Sequence, residues 1–178
     1  MNRFRRRQFL GFAFAAAISR RVQGQGAAVD GVNQTDYDVA DATTLAQWVA
    51  RGEASPPELL AEAVKRLRIV NPRLNLFSQD HIELALAASR ADLPQGPFTG
   101  VPFLLKDLGS QLQGTVTSSG SALHATARAK QDSEIVLRFK NAGLVIFGKT
   151  NTPEFGLALT TEGKHLGDCL NPWNLNHS

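Results

Sequence analysis

Gly100-Val-Pro-Phe-Leu-Leu-Lys106-Asp107 is the stretch on which the fold turns. Val101 to Leu105 form a short, nearly continuous apolar run, the pattern of a strand buried on both faces. A second such run, Leu144 to Phe147, lies some forty residues on. Between them, Asp132 or Ser133 is placed to cap a helix carrying Ile135, Val136, Leu137 and Phe139, and Gly143 to close it. Strand, helix and strand in that order predict an α/β chain.

The segments before this core read as helical. Thr43 or Thr44 is positioned to cap a short helix with Leu45, Trp48 and Val49 on one face, ending at Gly52. Ser55-Pro56-Pro57-Glu58 is a capping-box start with proline where no amide hydrogen is missed. Leu59, Leu60, Ala63, Val64 and Leu67 follow at helical spacing, and Asn71-Pro72 is expected to end the run. Leu74 to Phe77 reads as a short strand, and Asp80 onward as another helix, with Ile82, Leu84, Leu86 and Ala87. Residues 109–131 and 151–178 read as loop, without internal repeats.

Charge divides the chain. Of its 178 residues 43% are apolar, enough to build a core, and one cysteine, Cys169, excludes an internal disulfide framework. The formal net charge is +3 and the pI about 9.4. Six of the 19 basic residues (Arg3, Arg5, Arg6, Arg7, Arg20, Arg21) lie in residues 1–28, which hold no acid. The other 13 face all 16 acidic residues, so the body is net −3 and nucleic-acid binding is not expected. The leader has a basic start, then a moderately apolar run from Gly11 to Ser19 too short to span a bilayer, then Gly26-Ala27-Ala28 as small residues for cleavage. Arg6-Arg7-Gln8-Phe9-Leu10 resembles the twin-arginine export motif. The expected organisation is a signal peptide over 1–28, a polar linker over 29–40 and an incomplete domain over 41–178. The expected location is periplasmic or secreted, with the twin-arginine translocase as a partner during export and no stable membrane insertion.

Three patterns invite other chemistry. Gly143-Leu-Val-Ile-Phe-Gly148-Lys149-Thr150 matches the phosphate-loop spacing, yet its four intervening residues are large and apolar, so they are the strand itself, and Pro153 removes an amide hydrogen just beyond. Ser118-Ser119-Gly120-Ser121 with His124 suggests a hydrolase constellation, but no Gly-x-Ser-x-Gly elbow is present, and hydroxyls satisfying loop backbone are the better account. His81, His124, His165 and His177 are scattered without metal spacing and read as solvated or core histidines.

Lys106 is different. A lysine directly after a buried strand faces a desolvation cost that favours its neutral amine, a form able to serve as a general base; a plain Lys106–Asp107 surface pair is the alternative.

Taken together, Gly100 to Asp107, Asp132-Ser-Glu, Ala142-Gly143, Gly148-Lys-Thr-Asn-Thr-Pro-Glu-Phe155 and Asn171-Pro172-Trp173 resemble, in order, the amidase signature family over roughly residues 41–178. Within it the chain most resembles amidases similar to the nylon-oligomer cyclic-dimer hydrolases. The resemblance implies the N-terminal part of the amidase signature fold, truncated, with a mixed β-sheet core flanked by helices, and hydrolysis of a small carboxamide without metal or organic cofactor. It implies a nucleophilic serine, a bridging serine and a lysine, with Lys106 at the lysine position as the catalytic residue. Thr150, Asn151 and Thr152 are expected near the site, with no individual role. The family's serine segment follows Asn-Pro-Trp, beyond Ser178, so the 178-residue chain alone is expected to be inactive. Two alternatives are an amidotransferase component of the A type that works on aminoacyl-tRNA, and a non-catalytic secreted remnant.

Overall fold

The structure is a computed structural model that describes residues 34–178. The leader lies outside the described residues. Within the stretch read as linker, Gln34–Val39 forms a short helix, α1. It is followed by α2 (Ala42–Arg51), α3 (Pro56–Leu74), β1 (Phe77–Asp80), α4 (Ile82–Ser89), β2 (Pro102–Lys106), α5 (Glu134–Asn141) and β3 (Val145–Thr150). A two-residue hairpin, β4 (Glu162–Gly163) with β5 (Gly167–Asp168), interrupts the C-terminal loop.

Local chemistry accounts for most of these boundaries. Asp41 caps α2, ahead of the expected threonines, because its carboxylate accepts the Thr44 amide at 2.8 Å. Gly52 stops that helix in the left-handed conformation, at φ 69°. The Glu58 carboxylate takes both the amide of Ser55, at 2.8 Å, and its hydroxyl, at 2.6 Å. Asn71-Pro72 does not end α3. Proline stands in the last turn, and the helix runs to Leu74, where Asn75 turns left-handed at φ 50°. That turn delays β1, which begins at Phe77 and not at Leu74. Beyond Ser133 at its start, α5 closes as a Schellman motif: the Gly143 amide donates to Lys140 O at 2.9 Å and the Leu144 amide to Phe139 O at 3.2 Å.

The main sheet has the order β1-β3-β2, so β3 is central. It pairs antiparallel with β1 and parallel with β2, giving the mixed sheet expected. Leu60, Val64, Leu67 and Ala85 pack with Val145 and Phe147 on the face covered by α3 and α4. Leu105, Leu112, Val136 and Ile146 form the core of the opposite face under α5. A third cluster joins Leu45, Ala54, Leu59 and Val101 where α2 meets the start of α3. The β2–β3 register slips between Phe103/Ile146 and Leu104/Gly148, leaving Phe147 as an extra residue in β3. Gly148 then lies so close to β1 that a Cβ there would fall 2.1 Å from the Phe77 ring and 2.6 Å from Gln79 O. Only glycine fits in this position.

Candidate active site

The C-terminal ends of the parallel pair β2 and β3 place Lys106 beside Thr150. The backbone is pinned on both sides of Lys106: the Asp107 amide donates to Thr150 O at 3.1 Å, and Thr150 Oγ1 donates to Leu105 O at 3.4 Å. The Lys106 side chain itself is exposed. The desolvation expected at the end of a buried strand therefore does not fall on this lysine.

It falls on Lys149, which is completely buried and stands across from Leu105 in the ladder. Lys149 Nζ donates to Val116 O at 2.7 Å and to the Thr117 hydroxyl. Burial pushes the amine down from 10.5 to about 8, and the negative charge of Asp107 works against that shift. The phosphate-loop spacing thus belongs to a strand whose lysine is already engaged inside the protein.

Asp107 is also fully buried. One of its carboxylate oxygens accepts the Ser118 amide at 2.9 Å and the other the Ser118 hydroxyl at 2.6 Å. A surface pair of Lys106 with Asp107 is thereby excluded, since the carboxylate points inward. Ser118 is committed to Asp107 and to the Gly120 amide, 3.2 Å from its hydroxyl oxygen. His124 packs edge-on against Phe155, with centroids 5.7 Å apart. No Ser–His pair is assembled from the 118–124 segment.

Around the same strand ends, residues 150–156 form a tightly held segment. Asn151 donates from its amide to Leu76 O at 2.7 Å, and from Nδ2 to Asn75 O at 3.1 Å and Gly167 O at 3.2 Å. Thr152 is buried, and its amide returns to Asn151 Oδ1 at 2.8 Å. Ser119 and Phe155 are both left-handed, at φ 54° and 53°, and the Phe155 amide donates to Ser119 O at 2.8 Å. Strained backbone of this kind, in two touching segments, is a feature of functional sites. Lys106 pairs with Thr150 across the ladder, and Asn151 and Thr152 follow Thr150 directly in the chain. Asp107, Ser118 and Lys149, read in the sequence as a surface partner, a loop hydroxyl and part of a phosphate-loop lookalike, are joined to the 116–118 loop in the interior.

His81 is a core histidine. Its Nδ1 lies 2.7 Å from Asp80 O, its buried Nε2 has no partner among the described residues, and burial pushes its pKa down. Among the described residues no group of three His, Cys, Asp or Glu could hold a metal ion, and no helix is long and apolar enough to cross a membrane.

Residues 58–178 match the sequence model of the family described as Amidase. The chain is 44% identical over 140 residues to 6-aminohexanoate-cyclic-dimer hydrolase of Paenarthrobacter ureafaciens, covering 78% of this chain and 28% of that protein. It is 38% identical over 149 residues to the A-type component of the glutamyl-tRNA(Gln) amidotransferase of Salinispora tropica, covering 80% and 30%. In three dimensions it superposes on a 6-aminohexanoate cyclic dimer hydrolase solved with its substrate. The TM-score is 0.72 at 42% identity, over 76% of this chain and 28% of that one. The chain thus spans under a third of the length of the relatives it matches.

Proposed function

The chain belongs to the amidase family, and from that premise we propose that it supplies the lysine-bearing part of an enzyme that hydrolyses a carboxamide C–N bond. The observation that carries this reading is Lys106, at the matching place in the family's ordered motifs and at the open ends of the parallel strands. Residues beyond the 178 would supply the nucleophilic and bridging serines. Exposed Leu157, Leu159 and Trp173, at 86%, 107% and 95%, suit a surface that such residues cover.

In this reading the neutral Lys106 amine takes a proton from the bridging serine, which takes one from the nucleophilic serine as its oxygen attacks the amide carbonyl. Backbone amides hold the oxyanion. The C–N bond breaks as the leaving nitrogen regains the proton, and water then releases the acid from the acyl-enzyme. The substrate class is a small amide, with cyclic amides of amino acids first among candidates because of the hydrolase relatives.

The test compares the 178-residue chain with a form extended through the serine segments, on an aryl anilide and on the 6-aminohexanoate cyclic dimer. Turnover by the extended form without ATP, and none by the short chain, is the expected result. Turnover by the short chain overturns the reading, and an extended form that turns over neither amide without ATP favours the amidotransferase alternative or the non-catalytic remnant.

The leader extends the proposal to export: a periplasmic or secreted protein passed through the twin-arginine translocase. Changing Arg6 and Arg7 to Lys is expected to leave the protein in the cytoplasm on cell fractionation, and an unchanged distribution overturns it.

A further inference from the structure

Residues 116, 117 and 118 are each gripped by a side chain from the strand ends. Lys149 of β3 takes Val116 O, at 2.7 Å, and the Thr117 hydroxyl, while Asp107, just beyond β2, takes both the amide and the hydroxyl of Ser118. Neither gripping residue has any exposed surface. The grip is passed on. Ser119 O receives the Phe155 amide at 2.8 Å, and Gly120, at φ 67°, lies so close that a Cβ would stand 2.5 Å from Thr152 O.

A buried ammonium and carboxylate are a costly way to fill a core, and apolar residues of similar volume usually serve stability as well or better. Such a pair is more readily explained by what it orients. Resting on the reading of Lys106 as the base, we propose that Lys149 and Asp107 are positioning residues that hold the 116–120 segment against the strand ends and through it set the 150–156 segment beside Lys106. Their opposite charges leave the buried network neutral overall, so neither group stands as an uncompensated charge beneath the site. The lysine of the phosphate-loop lookalike thereby acquires a role, though not with a phosphate.

The test uses the extended enzyme with Lys149→Met, which keeps length and removes the donor. A misplacement of about 1 Å can cost on the order of 10²-fold in rate. The expected result is a kcat lowered about 10- to 100-fold with KM changed less than about 3-fold. Hydrogen exchange at the amides of 118–120 and Phe155 is expected to rise, with α3 unaffected. Should Lys149→Met fail to fold, Thr117→Val and Ser118→Ala each remove one bond of the grip and are expected to lower kcat in the same sense by a smaller factor. Wild-type kcat in the folded variants overturns the proposal, whatever the exchange does. So does a lowered kcat with unchanged exchange at 118–120 and Phe155. Lys106→Ala, run in parallel, separates the two readings: if it keeps wild-type turnover, the function proposed for Lys106 fails, while the exchange data still test the grip.

Discussion

Lys106→Ala in the extended enzyme is expected to lower kcat/KM by about 10³-fold with no change in thermal midpoint. General-base contributions run from about 10² to 10⁴. Removing an exposed side chain at a strand end costs within about 0.5 kcal/mol of stability. The two effects separate here because the backbone at Lys106 is held by its neighbours: the Asp107 amide on Thr150 O, and Thr150 Oγ1 on Leu105 O. Lys106→Arg sharpens the result. A guanidinium keeps the charge but cannot give up its proton in a protein, so it too should be inactive. Arginine restoring more than a tenth of the rate would show that the site needs a cation there and not a base.

The second large effect is a gain of stability with pH. Burial lowers the Lys149 amine from 10.5 to about 8 in the folded protein. Between those values the unfolded chain holds the proton and the folded one has released it. Unfolding therefore takes up a proton, and stability rises with pH through this window. The penalty of the buried ammonium is fully present below about pH 8 and relieved as pH approaches 10.5. Between pH 7 and pH 10 this one residue contributes about 2 to 3 kcal/mol to the rise. Tyr37 and Cys169, both pushed up by burial, act in the opposite sense, but they are common to the wild type and to Lys149→Met. The difference between the two proteins in urea-unfolding free energy at pH 7 and pH 10 therefore isolates Lys149. Equal pH dependence in both would refute its burial as an ammonium at neutral pH.

The two lysines show where sequence reasoning carries and where it stops. The strands carrying them were legible as short apolar runs, and α3 and α5 as capped, periodic segments. Which lysine faces inward was not. Regular alternation along β3 sends Val145 and Phe147 to one face and Ile146 to the other, which would put Lys149 on the face of α3 and α4. The extra residue at Phe147 reverses that parity, and Lys149 turns under the 116–118 loop instead. A one-residue bulge leaves no mark in an apolar run. Other departures were also tertiary in origin. Asn75 ends α3 by turning left-handed, and its side chain donates to Leu166 O and Asp168 O, more than ninety positions away. Tyr37 of α1 stacks beneath the Arg66 guanidinium, 4.2 Å from ring centroid to Cζ, which gives a polar stretch read as linker a helix to dock on. The Asp107–Ser118 contact joins residues eleven apart through a loop without periodicity. Lys106 and the Thr150–Thr152 segment were singled out in the sequence because the motifs recur in order. The grip beneath them is made of side-chain geometry alone.

The strand order has a consequence for how this protein is made. Among the described residues β1 and β2 do not touch each other in the sheet; both pair only with β3, the last of the three to be synthesised. During translation neither edge can form a ladder until residue 150 has left the ribosome, and roughly seventy residues of helix and loop must wait from the end of β1 with their apolar faces uncovered. Sheet formation is then a single late event that closes two long loops at once, at about (3/2)RT ln n each. The time β3 takes to arrive therefore sets how long the nascent chain depends on chaperones.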